Sequence, residues 1–179
     1  MINILPNIIF SILLITSVGF FVYNIKKLIT VIKLGKSVDR SDNPKKRLYN
    51  MIRIALGQSK MVTKPVSGFL HVIVYVGFII INIELLEILI DGVTGSHRFF
   101  SKYFNPKFYN FLIASFEILA LLVLISVILF WTRRNIVKIK RFFSNEMKGW
   151  PKFDADNILY FEIVLMLLFL YMNATDLIL

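Results

Sequence analysis

His71 and four glutamates, Glu84, Glu87, Glu117 and Glu162, interrupt long apolar runs, and these are the side chains whose types could do chemistry. An imidazole ligates haem iron or moves a proton, and a carboxyl in a low-dielectric surrounding holds and releases one. On a helix with about 100° per residue, Gly68, Tyr75, Phe78 and Asn82 fall within roughly 60° of His71. One stripe therefore carries a histidine, a glycine about one turn below it and two aromatics above it. A haem needs an imidazole ligand, a flat approach path and apolar walls. Gly68 beside the ligand would supply the path, and Tyr75 and Phe78 the walls. The alternative is a histidine hydrogen-bonded to a neighbouring helix, with Gly68 as a packing glycine. The pattern leaves both open.

The second histidine, His97, lies in Gly95-Ser-His-Arg98, beyond the same apolar run. At about 1.5 Å per residue it stands roughly 30 Å or more from His71, so the two cannot ligate one haem within one chain. A second axial ligand would come from another chain, from a further C-terminal part, or from a methionine such as Met166. Glu162 and Met166 are expected at about the depth of His71.

Glu84 is placed some six residues from the outer end of its run and Glu117 about nine from its own, so the two are expected to share a depth. Paired carboxylates within a membrane suggest a proton or quinone site. The alternative is hydrated carboxylates, or carboxylates paired with Arg98 or Lys102, and Glu87 fits this second description better. No nucleophile–base pair, Gly-rich phosphate loop or H-E-x-x-H motif is present. Cys is absent, which excludes disulfides, thiolate zinc and Cys-ligated clusters held by this chain.

The elements that must position these residues follow from composition. Of 179 residues 57% are apolar and 18% charged, an excess over a soluble domain of this length. Four runs reach the ~20 apolar residues that a span needs. They are Ile4–Tyr23, Val66–Ile90, Phe108–Trp131 and Ile158–Leu179. The expected fold is an all-α polytopic transmembrane bundle of four spans in a single membrane domain, residues 1–179. The first run lacks a basic n-region, so it is expected to be an uncleaved anchor rather than a signal peptide.

The net charge is +10, from 21 Lys+Arg against 11 Asp+Glu. Eleven of the basic residues fall in the loop 24–65, seven in 133–157 and three between Asp91 and Lys107. By the positive-inside rule the two basic loops are cytoplasmic and both termini lie outside. Anionic headgroups are a sufficient partner for this charge, and no nucleic acid is needed. Residues 25–34 alternate basic and apolar types at helical spacing and are expected to continue the first helix along the interface. A turn is expected over Asp39–Pro44, with Asp42 or Asn43 as a cap, and an amphipathic helix over Lys45–Met61. Pro65 marks the entry to the second span, and Trp131 and Trp150 are interface anchors.

One stretch carries a family resemblance: Gly57-Gln-Ser-Lys-Met-Val-Thr-Lys-Pro-Val-Ser-Gly-Phe-Leu-His71-Val-Ile-Val-Tyr-Val-Gly-Phe78. Asn82-Ile-Glu-Leu-Leu-Glu87, Asp91-Gly92, Gly95-x-His97-Arg98, Met147-Lys-Gly-Trp-Pro151 and Asn173-Ala-Thr-Asp176 extend it along the whole chain. The run resembles the N-terminal membrane domain of bacterial heterodisulfide-reductase-related iron–sulfur oxidoreductases. That domain is in turn similar to the gamma (cytochrome b) subunit of respiratory nitrate reductase. The resemblance implies b-type haem with His71 at the ligand position, exchange of electrons with membrane quinone, a cytoplasmic Fe–S domain or subunit as partner, and location in the bacterial inner membrane. It implies further helices and Cys-rich cluster motifs beyond this stretch. The chain departs from the family there, having no Cys, and is expected to be the N-terminal part of a longer oxidoreductase, not catalytic on its own. The competing expectation is a cofactor-free membrane anchor or assembly subunit that docks a soluble partner through its basic loops.

Overall fold

In the computed structural model, residues 4–176 are described apart from 37, 40, 146 and 147, and apart from the side chains of 141 and 143. Among them are five α-helices and no strand, as the composition requires. They are α1 (Leu5–Lys33), α2 (Pro44–Met51), α3 (Pro65–Thr94), α4 (Pro106–Asn135) and α5 (Trp150–Asp176). All but α2 are long and apolar enough to cross a membrane. At about 1.5 Å per residue each of the four is longer than a hydrocarbon layer of roughly 30 Å.

The helices begin and end where local chemistry directs. Pro65 and Pro106 open α3 and α4, where the missing N–H has no intrahelical partner to lose. Asn105 accepts at Oδ1 from the Lys107 N–H at 3.0 Å and caps α4. Arg133 and Arg134 lie in the last turn of α4, where cations oppose the helix dipole. Both α4 and α5 run past the apolar segments that hydropathy delimits. Arg134 and Asp156 pair across their ends, so these polar turns stay helical.

The chain divides into two compact units. One holds the residues up to Lys60 together with Leu85–Tyr103. In it α1 does extend into the basic stretch, ending at Lys33. No residue of α1 is buried. Asn7 Nδ2 donates to the Gly92 carbonyl at 2.9 Å, and the Phe10 ring fills the space beside Gly92 that a Cβ would need. Ser41 donates to Asp39 Oδ1 from both its N–H and its hydroxyl, which holds that exposed carboxyl below the usual carboxylate range. Asn43 sits at the N-cap of α2 in a left-handed conformation, and its side chain makes no capping bond there.

The helix expected over Lys45–Met61 is shorter. After α2 the backbone widens into a π-helical turn, Ile52–Leu56, and stops. Gly57 N–H closes the turn onto Ile52 O at 2.7 Å. A Cβ on Gly57 would stand 2.8 Å from the Arg53 carbonyl, so only glycine allows this ending.

The other unit holds Met61–Glu84 and the chain from Phe104 onward. Its buried apolar residues are Phe116, Ala120, Val123 and Val127 of α4, Met166 and Phe169 of α5, and Leu70 and Ile81 of α3. Gly77 lets α3 approach α4, since a Cβ there would collide with Val123 Cγ2. Trp150 is exposed at the start of α5, as an interface anchor would be, whereas Trp131 is half-buried.

Candidate functional site

Two contacts set the register of the second unit. The Arg134 Nε lies 2.6 Å from Asp156 Oδ1 where α4 ends and α5 begins. Counting seventeen residues back along α4 and seventeen forward along α5 from that contact brings Glu117 to about the level of Asn173. The approach of Gly77 to Val123 does the same for α3 and α4. Seven residues forward along α3 and seven back along α4 from that contact stand Glu84 and Phe116. Glu84, Phe116, Glu117 and Asn173 therefore share one level, within about one helical turn of ~5 Å.

Glu84 is fully buried at 0% exposure and Asn173 at 1%, and both lie on the faces that their helices turn to α4. Glu117 is half-buried, about 100° round α4 from Phe116. Glu84 is thus buried inside its unit, and Glu117 is half-buried on the flank of α4. Asn173 completes the level, and polarity alone did not single it out. The available signal was its spacing: Met166, Phe169 and Asn173 recur at three and four residues, so the asparagine shares the buried face of two apolar residues.

Glu87 lies in the first unit, 2% exposed, and its Oε1 accepts from the Phe100 N–H at 2.7 Å. One turn on, Asp91 accepts from the Arg98 N–H at 2.7 Å, the Phe99 N–H at 3.1 Å and the Ser96 hydroxyl at 2.8 Å. These carboxylates hold the loop after α3 through its backbone. The Phe100 amide that Glu87 holds belongs to the short 3₁₀ turn Phe99–Lys102, whose leading N–H groups have no partner within the turn. His97 is an exposed loop residue.

The His71 stripe stands apart from the seam. Measured from Gly77, the buried residues Leu70, Ile81 and Glu84 lie within about 40° on the α4-facing side of α3. His71, Tyr75, Phe78 and Asn82 lie about 100° to 160° away, on the opposite side. Within its unit His71 is half-buried and Phe78 is 62% exposed. Met166 is buried on α5, on the face that it shares with Phe169 and Asn173. Gly68 is buried, and a Cβ there would lie 2.7 Å from the Met61 carbonyl. Its smallness admits the chain that leads into α3, and no flat path opens beside His71 at that point. Of the motif Met147–Pro151, Met147 lies outside the described residues, as do residues 177–179 at the end of the fourth expected span.

The donor set fits one half of a b-type haem site: one imidazole with aromatic neighbours, on a face that its own unit leaves open. Among the described residues no group of three or more His, Asp or Glu is placed to hold a metal ion.

Fold and site together define an all-α chain with four helices able to span a membrane and a polar level buried among three of them. Such a chain is similar to the probable iron-sulfur-binding oxidoreductase FadF of Bacillus subtilis (strain 168), with 30% identity over 171 residues. The match takes in 96% of this chain and 23% of FadF, so the chain spans about a quarter of the length of that relative. No family model and no solved structure matches.

Proposed function

We propose that this chain is the membrane part of a quinone-linked iron–sulfur oxidoreductase in the bacterial inner membrane. The observation that carries the reading is the similarity to FadF along 96% of the chain, joined to four helices fit to cross a bilayer. The basic loops 24–65 and 133–157 would face the cytoplasm and an Fe–S domain or subunit there, which supplies the clusters that a chain without Cys lacks.

His71 would bind b-type haem iron through its imidazole, and Tyr75 and Phe78 would wall the group. When bound, haem supplies one-electron transfer. The second axial ligand would come from outside this unit, since the His71 face is turned away from α4. Gly68 would act one step removed, by seating the Met61–Val62 backbone under the ligand turn. On the outer side, Glu84 would take up or release the proton that accompanies quinone chemistry, with Glu117 on the flank as its route. Asn173 at the same level would orient the Glu84 carboxyl.

The test is a reduced-minus-oxidised spectrum of the assembled complex with His71→Ala. Loss of the b-type band with the complex still assembled supports the assignment, and an unchanged band removes it. A second reading, a cofactor-free anchor or assembly subunit, draws on the half-exposed His71 and the absence of a second histidine at its depth. A wild-type complex that co-purifies with its soluble partner and has no b-type band would favour it.

A further inference from the structure

The segment that joins the first two spans carries a helical stretch with no covered face among its described residues. Every residue of α2 and of the turn Ile52–Leu56 that follows it is exposed, including Leu48, Met51, Ile52 and Leu56. With Leu48 as reference and about 100° per residue along α2 and its cap, Met51 and Ile52 fall within roughly 60° of it. Lys46 and Asn50 each lie about 160° away, and Lys45 and Arg47 flank the apolar arc. Large apolar side chains on one arc and cations on the other and along its borders are the pattern of a helix that lies in a membrane surface.

The surrounding chain makes that surface the nearest occupant. Ten residues separate Lys33 from Pro44, and eight separate Leu56 from Pro65. Even fully extended these connections span at most about 35 Å and 28 Å, so the helix is tethered beside the ends of two spans. The loop 24–65 holds eleven Lys/Arg against Asp39 and Asp42, and Asp42 already pairs with Arg47 at 3.7 Å. An acidic protein surface would answer the cations and leave Leu48, Met51, Ile52 and Leu56 in water. Anionic headgroups over acyl chains answer both.

We propose that Pro44–Leu56 is an interfacial helix that binds the anionic leaflet, its Leu48 arc in the acyl boundary and Lys45, Lys46, Arg47 and Arg53 among lipid phosphates. The assignment is independent of the electron-transfer reading.

The chain has no cysteine, so single spin labels report on it without background. Leu48→Cys and Asn50→Cys variants of the full chain, reconstituted in phosphatidylcholine vesicles with and without phosphatidylglycerol, would be probed with oxygen and with a water-soluble nickel complex. The expected result, with phosphatidylglycerol present, is an oxygen-to-nickel accessibility ratio several-fold higher at 48 than at 50. Replacing Lys45, Lys46 and Arg47 by Gln in the Leu48→Cys chain should lower that ratio, as should raised salt. Equal access of nickel at both positions in both vesicles overturns the proposal. So does protection of position 48 that arises only on adding an acidic soluble partner. Both variants leave α1, α3, α4 and α5 unaltered, and co-elution of the labelled chain with wild type checks folding.

Discussion

Arg134 and Asp156 meet at 2.6 Å, Nε to Oδ1, with both side chains largely withdrawn from solvent. The Nε–H is not aimed along the contact, so the attraction is Coulombic more than a directed hydrogen bond. Arg134 also donates from Nη2 to the Lys152 carbonyl at 3.0 Å and lies over the Phe142 ring. One guanidinium thus ties the end of α4 to the start of α5 and to the short segment between them.

Removing one partner of that pair leaves a poorly solvated charge. Asp156→Ala should destabilise the chain by about 3 kcal/mol, whereas Arg134→Met with Asp156→Leu should come close to wild type. Thermal unfolding of the detergent-solubilised variants measures both. Equal losses in the single and double variants would mean that the pair does not join the helices.

The close approach of α3 to α4 rests on Gly77. Gly77→Ala should cost about 1–3 kcal/mol by overpacking against the stiff, buried Val123. Adding Val123→Ala should recover part of the loss. A double-mutant cycle that returns simple additivity would argue against the contact.

Asp91 closes the loop after α3 by accepting from two backbone amides and a hydroxyl. Asp91→Ala should speed amide exchange at Arg98 and Phe99 by on the order of tenfold or more, a loss of about 1–3 kcal/mol. Amides in the middle of α4 should keep their protection. Unchanged exchange at Arg98 and Phe99 would show that the carboxylate does not govern the loop.

Orientation in the membrane is open to direct labelling. Single cysteines at Lys36 and Lys102, both exposed, should react with an impermeant maleimide from opposite sides. Lys102→Cys should label in intact, wall-free cells, and Lys36→Cys only after lysis. The reverse pattern would invert the topology.

Much of the architecture was legible because hydropathy and charge act one residue at a time. Four apolar runs of span length and a lysine-rich first loop needed no knowledge of neighbours. The ends of helices were less legible. Hydropathy stops α4 near Trp131, yet Arg133 and Arg134 continue it, because Arg134 finds Asp156 on another helix. The amphipathic pattern after Asn43 predicted a helix to Met61, whereas the close Arg53 carbonyl beside Gly57 ends it at Leu56. Gly68 shows the same limit: its spacing from His71 suggested an approach path, and the backbone of Met61 fills that space.

By itself the sequence determined an all-helical chain with four candidate spans, the asymmetry of its loop charges and the roster of ionisable groups among apolar ones. These follow from side-chain transfer energies and the period of the helix, which are local properties. Only the tertiary structure decided which of those groups are buried and which faces meet. The level shared by Glu84, Glu117 and Asn173 depends on two contacts between distant residues, Gly77 with Val123 and Arg134 with Asp156. Those contacts set how far one helix slides against the next. Helical periodicity assigns a residue to a face but carries no information about that translation, so depth alignment between helices emerges only once side chains pack.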